Sequence, residues 1–586
     1  MYYIGINYYG HNTSCALVKD GKLIYAAEEE RFSRKKNDGS IPVKSIKNCL
    51  KHNNIKIDEI EEIYAATVPS RLIKEKYLKY SINNFPRSNS LLLEKKSFKI
   101  LNFLNNAENI IKKKLKYKKK LKFINHHYCH LASTHFLSGF KNSCCVSIDG
   151  LGEIESIAIG EGNGNKIKLT ESVNFPNSLG MFYSAITHYL GFQAMSSEGT
   201  VMALATFGNY NKKIPKKNTT YYKKLKSMIS LKKGLNLDVD LKWFNYPFTR
   251  EGWVSNKFVE YFGEHRKKNE KVTQHHKNIA SALQKIFEEI YIKIIKYAEK
   301  KTKSKNLTLS GGCALNCKAN GLILRKTNFK DIYIQPASHD AGLAVGAAYL
   351  AYLSNNRTKK KNFDRFDHTY LGPDFKSNQI KKTLNKLNLD FISLKDKSDF
   401  CAKKLKEGSI IGWFQGKMEF GPRALGNRSI LSAPFPNSKK DYINKFIKHR
   451  ESFRPFAPAI LEEKISEYYK IKIRSPFMLI ATFLKNKKNK NKIAATLHYD
   501  LSARVQTVSK VTNKKFYNLI KSFYNLTGVP VLLNTSFNDK GEPMVCDHID
   551  ALKSFYKTNL DYLCLNEFLV KNTKKNSFKI KKLFNR

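Results

Sequence analysis

Apolar and polar residues alternate in short blocks at the start of the chain. Residues 2–6 are apolar, the polar segment Gly10-His-Asn-Thr-Ser interrupts them, and apolar residues return at 15–18 and at 23–27. Asp20-Gly21 separates the last two blocks, and Asp-Gly between apolar runs is typical of a tight hairpin turn. The pattern predicts one strand followed by a β-hairpin.

The same arrangement occurs again from Cys144 onward. An apolar run ends at Asp149-Gly150, and residues 155–160 and 167–173 flank a turn around Gly162-Asn-Gly164. A strand, a polar loop and a hairpin, present twice, predict a duplicated α/β domain. Actin-like and sugar-kinase-like ATPase cores, which bind nucleotide between their two halves, are built this way.

The remaining pattern predicts more α/β structure and a domain boundary. Residues 277–300 have apolar positions at helical spacing, and a polar, lysine-rich stretch begins at Ser354. We predict an actin-like domain over residues 1–353, a linker over 354–369 and a second α/β domain over 370–586. Other predicted elements are a helix at 342–353 and strands at 306–310, 331–335, 409–414, 459–461, 477–482 and 529–534.

Composition indicates a folded, multidomain and strongly basic protein. The 586 residues are 42% hydrophobic and carry a formal net charge of +55, which suits either an anionic partner such as nucleic acid or a solvated Lys-rich surface. The runs Lys112–Lys114, Lys118–Lys120 and Lys359–Lys361 lack interleaved aromatic residues, which favours the solvated surface over a base-stacking platform.

The cysteines and the apolar runs indicate in which cellular compartment the protein works. The ten cysteines form no Cys-x-x-Cys pair, the first residues lack the features of a secretory signal, and no apolar run approaches the roughly 20 residues that span a bilayer. We expect a cytoplasmic protein with reduced thiols and no membrane span.

Two histidines and two acids form a candidate metal site. His126 and His130 are four residues apart, so on a helix they share one face and could bind one metal ion. Asp149 ends an apolar strand, and Asp340 lies between a predicted strand and a helix. Two imidazoles and two carboxylates suit Fe, Mn or Zn, and the residues do not choose among them.

Two small-residue turns follow predicted strands. Gly311-Gly312 opens a helix that contains Asn316, and glycines at such a position let backbone N–H groups approach a phosphate, although they also occur in ordinary turns. The segment from Asp340 to Gly346 is either a second turn of this kind or a surface for close helix packing.

The C-terminal half contains a dense set of basic residues among Gly, Pro and aromatic residues. Acids near them are too few to pair every arginine, so a pocket for phosphate-like oxygens is favoured over a salt-bridge network. Alternating residues share one face of a strand, so we expect Lys448 to align with Arg450 and Ser536 with Asn538. The basic residues are Arg423, Arg428, Lys448, Arg450, Arg454 and Arg504.

At these residues the chain resembles the NodU/CmcH/TobZ family of O-carbamoyltransferases. Eleven segments match in the right order over nearly the full length: GHNTSCALVKDGKL, HHYCHLAS, SIDGLGE, SLGMFYSAITHYLGF, EGTVMALATFG, LSGGCALNC, HDAGLAVGAA, EFGPRALGNRSI, KHRESFRPFAPAIL, ARVQTV and LLNTSFNDKGEP. The resemblance implies an actin-like N-terminal domain similar to threonylcarbamoyl-adenosine transferases and a YrdC-like C-terminal domain.

The resemblance also implies a reaction. Carbamoyl adenylate would form from carbamoyl phosphate and ATP, supplied with Mg, and its carbamoyl group would pass to a hydroxyl of a sugar or other small molecule. His11 would be the general base, Lys448 and Arg450 would act in adenylate formation, and the metal would bind His126, His130, Asp149 and Asp340. Carbamoyl phosphate and ATP would contact Arg423, Arg428, Ser429, Arg454, Arg504, Ser536 and Asn538, and nucleotide would contact Gly180, Gly311, Gly312 and Asn316.

Three positions depart from the family pattern. Thr200 replaces a lysine, Lys417 an arginine, and Leu501 the glycine after Asp500; we expect activity to be retained. A threonylcarbamoyl-type tRNA-modifying enzyme and a non-catalytic nucleic-acid-binding protein stay as alternatives. The acceptor, the metal and the oligomeric state, a homodimer included, are left open.

Overall fold

The computed structural model describes residues 1–89, 94–249, 251–356, 363–471 and 473–584. The chain forms two compact units. Unit 1 contains residues 1–29 and 39–366, and unit 2 contains residues 30–38 and 367–586. The predicted division placed residues 30–38 in the N-terminal domain, and the structure places them in unit 2. Residues 357–362 of the predicted linker, including Lys359–Lys361, lie outside the described residues.

The first sheet of unit 1 has the order β3-β2-β1-β4-β5. β1 and β2 are antiparallel, as are β2 and β3, whereas β4 and β5 run parallel to β1. Asp20 and Gly21 have φ of +48° and +76°, the left-handed conformations that a tight hairpin turn requires. The strands are β1 Tyr2–Asn7, β2 Ser14–Lys19, β3 Lys22–Glu28, β4 Ile60–Ala66 and β5 Leu121–Ile124.

The second sheet of unit 1 repeats this topology with the order β12-β11-β6-β7-β8. An antiparallel meander is again extended by two parallel strands, so the predicted duplication and the actin-like α/β fold are confirmed. The strands are β6 Asn142–Ile148, β7 Glu155–Asn163, β8 Lys166–Asn174, β11 Asn306–Ser310 and β12 Asp331–Ile334, and β9 Ile229–Leu231 pairs separately with β10 Leu237–Val239.

The helices of unit 1 include the predicted long helix, which extends over Gln274–Thr302. In the part of the chain that the structure describes, no helix is long and apolar enough to cross a membrane. The other helices are Val43–Asn53, Pro69–Arg71, the π-helix Leu72–Tyr80, Ser81–Asn83, Lys95–Asn105, Ala107–Leu115, His126–His135, Leu179–Tyr189, Glu198–Leu204, Tyr221–Lys226, Asn256–Phe262, Cys317–Lys326 and Leu343–Asn355.

Helix Leu343–Asn355 packs in the core of unit 1 at van der Waals distance from two other elements. A Cβ atom on Gly5 of β1 would lie 2.0 Å from Ala344 O, and one on Gly346 would lie 1.9 Å from Cys129 O in helix His126–His135. Neither position has room for a side chain. Of the two interpretations of the small residues at 340–346, the structure supports close helix packing.

Unit 2 is built on an eight-stranded mixed sheet with the order β13-β22-β21-β14-β15-β20-β16-β19. Alternate residues of β14 enter different cores: Ile411 and Trp413 join the cluster beneath helix Lys514–Thr527, and Phe414 joins the one beneath helix His548–Thr558. Helices thus cover both faces of the sheet, which gives the predicted α/β class.

All four strands predicted in unit 2 overlap observed strands, namely β14, β16, β17 and β20, but residues 477–480 are not part of a strand, because β17 begins at Ala481. The strands are β13 Phe391–Ser393, β14 Ile411–Phe414, β15 Arg428–Ser432, β16 Ala457–Leu461, β17 Ala481–Phe483, β18 Ser502–Arg504, β19 Gln506–Val508, β20 Val531–Ser536, β21 Tyr562–Leu565 and β22 Phe568–Lys571. The helices are Glu30–Ser33, Ser377–Lys386, Lys397–Lys406, Ser438–Tyr442, the π-helix Ile443–Ile447, Ile465–Tyr468, Lys514–Thr527, His548–Thr558 and Lys574–Lys581.

Replacing Gly346 by alanine is expected to destabilise unit 1. The added methyl group meets backbone, which cannot rotate away, so we expect a loss of about 1–3 kcal/mol or more, measured by urea unfolding followed by circular dichroism. Gly199→Ala is the matched control, because Gly199 lies in a helix with nothing within 4 Å of its Cβ position. That variant should be neutral or slightly more stable. Equal stability of the two variants would contradict the close packing.

Candidate functional site

Four side chains converge at one edge of the second sheet of unit 1. β6, β11 and β12 run parallel, so their carboxyl ends meet there. Asp149 directly follows β6, Asp340 follows β12, and His126 and His130 lie one turn apart on helix His126–His135. Their four nearest ligand atoms all lie within 4.8 Å of one another. The structure thus brings together the four residues predicted to bind metal.

Asp149 is at the centre of this cluster. Its Oδ2 lies 3.1 Å from His126 Nε2 and 3.2 Å from His130 Nε2. Its Oδ1 accepts hydrogen bonds from the backbone N–H groups of Gly150 at 2.8 Å and Gly312 at 2.9 Å. One carboxylate oxygen therefore faces both imidazoles while the main chain holds the other.

The cluster strongly favours positive charge at its centre. Burial opposes ionisation of Asp149, but the hydrogen bonds and charges of His126 and His130 outweigh it and hold the pKa of Asp149 well below its ordinary value. Burial also opposes protonation of His126, and the Asp149 and Asp340 carboxylates outweigh it and raise the pKa of His126 to about 9. Burial lowers the pKa of His130. The donor set and the field fit a divalent cation in place of the proton.

Glu153 holds the start of the helix that carries His126 and His130. Its carboxylate accepts hydrogen bonds from the backbone N–H groups of His126 at 3.1 Å and Val68 at 2.7 Å and from the Asn125 side chain at 3.0 Å. His127 faces away, with its ring nitrogens 3.1 Å from Ser147 Oγ and 2.9 Å from Glu155 O. Sequence reasoning did not single out Glu153, whose only signal is its place four residues after Asp149.

His11, the predicted general base, lies beside this cluster. Its Nδ1 is 2.8 Å from Asn12 Oδ1 and 3.8 Å from Asp340 Oδ2, and 28% of its side chain is exposed. Asn7, at the end of β1, donates its side-chain N–H to the carbonyls of His11 and Asn12 and so holds the loop. A partly exposed imidazole therefore stands next to a candidate metal ligand.

The four residues predicted to bind nucleotide have structural contacts. A Cβ on Gly180 would lie 2.6 Å from Asp149 O, and one on Gly311, which has φ of +85°, would lie 2.2 Å from Ile148 O. Asn316 caps helix Cys317–Lys326 and exchanges side-chain hydrogen bonds with Gln284. Since the Gly312 N–H binds Asp149, this loop holds the candidate metal site, and nucleotide binding here stays a prediction.

In unit 2, Lys448 meets Ser536 and Asn538. Lys448 Nζ donates to Ser536 O at 2.9 Å and to Asn538 O and Oδ1, each at 2.8 Å. Burial, reinforced by the charges of Arg450 and Arg454, lowers the pKa of Lys448 well below its ordinary value. The expectation that residues 448–450 form a strand is wrong, because Lys448 directly follows the π-helix Ile443–Ile447 and His449 has a left-handed φ of +44°.

Arg450, Arg454 and Arg504 extend this cluster of cations. Burial, and then the charges of Arg454 and Arg504, lower the pKa of Arg450 well below its ordinary value, and burial lowers that of Arg454. The Arg450 guanidinium carbon lies 4.6 Å from the centre of the Phe456 ring, whereas Glu451 approaches Arg454 no closer than 3.9 Å. Clustered cations with depressed pKa values are typical of a site for an anionic ligand.

Two predicted ligand-binding residues make structural contacts. Arg428 is fully buried, and its guanidinium lies 3.7 Å from the Phe414 ring. Ser429 Oγ accepts the Gly426 N–H at 3.1 Å. The polar atoms of Arg428 and Ser429 hold the loop between β14 and β15, on which Arg423 is half-buried, and their contact with substrate stays a prediction. The Arg428 guanidinium donates to the carbonyls of Pro373, Gln415, Gly416, Asn427 and Cys546.

The three departures from the family pattern differ in structural effect. Leu501 has φ of +61°, a left-handed conformation that favours the glycine it replaces. Its side chain packs on the core of unit 2, and Asp500 accepts hydrogen bonds from Ser502 across the turn. Thr200 is buried in helix Glu198–Leu204, and Lys417 is exposed.

Segment Glu30–Asp38 is the feature of unit 2 that sequence reasoning missed. Arg34 donates to the carbonyls of Pro543 at 2.9 Å and Met544 at 2.7 Å. Lys36 belongs electrostatically to the cation cluster, since its charge helps to lower the pKa of Lys448. The signal was a group of basic residues directly after Glu28-Glu29-Glu30, but local composition does not reveal on which unit such a segment packs.

Comparison with known proteins also divides the chain into two parts, although the N-terminal family model spans residues 30–38, which the structure places in unit 2. The family model for the carbamoyltransferase N-terminus matches residues 2–349, and that for the carbamoyltransferase C-terminus matches residues 402–572. An uncharacterized protein of Synechocystis sp. is 36% identical, over 97% of this chain and 96% of that protein. The nodulation protein NolNO of Sinorhizobium fredii is 33% identical, over 96% of this chain and 79% of that protein.

A functionally named relative matches a shorter part. The 3'-hydroxymethylcephem-O-carbamoyltransferase of Amycolatopsis lactamdurans is 32% identical, over 41% of this chain and 44% of that protein. Because the two family models together cover most of the sequence, the chain belongs to the carbamoyltransferase family and is a transferase.

Proposed function

We propose that this protein is an ATP-dependent O-carbamoyltransferase acting on a hydroxyl of a sugar or another small molecule. The observation that carries the proposal is the cluster of Lys448, Arg450, Arg454 and Arg504 in a chain of the carbamoyltransferase family. Such a cluster suits carbamoyl phosphate and the phosphates of ATP. The metal-ligand cluster and His11 in unit 1 support a second step, transfer to the acceptor.

The first step activates the carbamoyl group. Water cleaves carbamoyl phosphate to carbamate and phosphate, and a carbamate oxygen then attacks the α-phosphorus of ATP. The bond to the β-phosphate oxygen breaks, so carbamoyl adenylate forms and pyrophosphate leaves. Arg450, Arg454 and Arg504 would bind phosphate oxygens and stabilise the charge on the leaving group. Lys448 would hold Ser536 and Asn538 in place and add to the positive field.

The second step moves the carbamoyl group to the acceptor. The acceptor hydroxyl attacks the carbamoyl carbon, the bond to the AMP oxygen breaks, and AMP leaves. His11 would accept the hydroxyl proton, a role for which imidazole is suited near neutral pH. His126, His130, Asp149 and Asp340 would hold a divalent Fe, Mn or Zn ion, whose charge would attract the adenylate phosphate.

Pyrophosphate release without acceptor tests the first step. We expect the purified protein to release pyrophosphate from ATP only when carbamoyl phosphate is present. Lys448→Met should reduce this rate by about 100-fold or more, because it removes several charge-assisted hydrogen bonds from a buried site. Activity in the wild type only when threonine and bicarbonate replace carbamoyl phosphate would contradict the proposal and favour the tRNA-modifying alternative.

His11→Ala tests the second step separately. We expect unchanged pyrophosphate release without acceptor and a loss of transfer to an active alcohol of about 100- to 10,000-fold, the usual contribution of a general base. The exposed His265 gives a matched control, and His265→Ala should leave both rates unchanged. Equal loss of both steps in His11→Ala would rule out the assigned role.

Asp340→Asn tests the metal site. We expect the metal content of the purified protein, measured by mass spectrometry, to fall by about tenfold or more. Mutating a group that only hydrogen-bonds to a metal ligand already lowers metal affinity by about tenfold or more, and Asp340 is itself a proposed ligand. Asp331→Asn, which removes a carboxylate paired with Arg365 away from the cluster, should retain the metal. Full metal content in Asp340→Asn would show that Asp340 is not a ligand.

A further inference from the structure

We infer that Lys36, supplied to unit 2 by segment Glu30–Asp38, binds a phosphate oxygen of the anionic substrate in the cation cluster. The inference rests on the proposed function and adds a residue from the N-terminal part of the sequence to a pocket otherwise built from residues beyond 366.

The segment is anchored on two loops of unit 2. Arg31, which is buried, donates to Gly421 O at 2.9 Å, two residues before Arg423. Arg34 donates to Met544 O and Pro543 O and lies 3.3 Å from Asp550. Asn538 is tied to the second loop, because its side-chain N–H donates to Glu542 O at 2.7 Å. The segment is thus fixed next to loops that carry pocket residues.

Lys36 lies among the cations of the pocket. Burial lowers the pKa of Lys36, Glu30 partly offsets this, and the charges of Arg454, Arg31 and Arg450 lower it further. Coulomb interactions weaken with distance and with exposure to water, so the mutual effects of Lys36, Arg450 and Lys448 agree with the position that the anchored segment gives Lys36, next to the loops that carry pocket residues. Lys36 is an exposed residue, so its side chain can reach a ligand.

Glu30, the acid whose charge acts on Lys36, already has other partners. Glu30 Oε1 lies 2.9 Å from Arg31 Nη1, and Glu30 Oε2 accepts the Asn37 N–H at 2.8 Å. Within the described ranges, Lys36 makes no ion pair at 4.0 Å or less. Clustering like charges is unfavourable where neighbouring acids offset it only in part, and a bound anion reduces the repulsion.

The chemistry of Lys36 suits a phosphate oxygen. An ammonium is a compact charge on a flexible stem, whereas the guanidinium groups of Arg450 and Arg454 are planar forks. Lysine serves as a point charge in phosphate sites. The ligand is therefore a phosphate group of ATP or carbamoyl phosphate, and both share this recognition chemistry.

Calorimetric titration of the full-length protein with pyrophosphate, and separately with inorganic phosphate, tests the inference. Lys36→Met should weaken binding of at least one of them by about 10- to 100-fold, the value of a hydrogen bond to a charged group. Lys36→Arg keeps the charge and should stay within a few-fold of wild type. Lys35→Met is the matched control, because Lys35 is the adjacent lysine of the same segment and, like Lys36, is exposed; this variant should bind as wild type does.

The outcomes separate this inference from the proposed function. A loss for pyrophosphate alone assigns Lys36 to ATP, and a loss for phosphate assigns it to carbamoyl phosphate; both support the inference. Wild-type affinity in Lys36→Met, or an equal loss in Lys35→Met, overturns it while the proposed function stands. If the wild type binds neither anion nor ATP, the proposed pocket itself fails. A melting temperature of Lys36→Met equal to that of the wild type, together with retained binding in Lys36→Arg, excludes loss of folding as the cause of weaker binding.

Discussion

The candidate metal site depends on the close packing of helix Leu343–Asn355 in the core of unit 1. Gly5 and Gly346 let this helix contact β1 and helix His126–His135 backbone to backbone. Because Asp340 lies just before the first helix and His126 and His130 lie on the second, this packing sets the distance between the imidazoles and the carboxylate. A protein interior transmits such constraints because it is close-packed.

The candidate site of unit 1 favours a bound cation, whereas the cluster of unit 2 favours a bound anion. In unit 1, the carboxylates of Asp149 and Asp340 lie beside two imidazoles and raise the pKa of His126, so the site favours a cation. In unit 2, the buried Lys448 and the partly exposed Arg450 and Arg454 lie among few acids, and burial first, then neighbouring positive charges, lower the pKa of all three. Such sites lower stability and are retained where a ligand supplies the missing charge.

Residues of similar type in the sequence make different contacts in the structure. Arg428 and Lys448 are both conspicuous cations in the sequence, yet Arg428 is enclosed by backbone carbonyls and packed on Phe414. Lys448 instead bridges Ser536 and Asn538 among other cations. The Gly312 N–H likewise donates to Asp149. Residue type indicates which interactions are available, and only the neighbours decide which one is made.

The sequence by itself determined the duplicated sheet, the long helix Gln274–Thr302 and the pairing of His126 with His130, because strand alternation and helical periodicity are local properties. Only the tertiary structure decided that Asp149 and Asp340 join those histidines, that Leu501 occupies a left-handed turn, and that segment Glu30–Asp38 belongs to unit 2. These features depend on contacts between residues far apart in the chain, which are fixed by packing and by the need to pair buried polar groups.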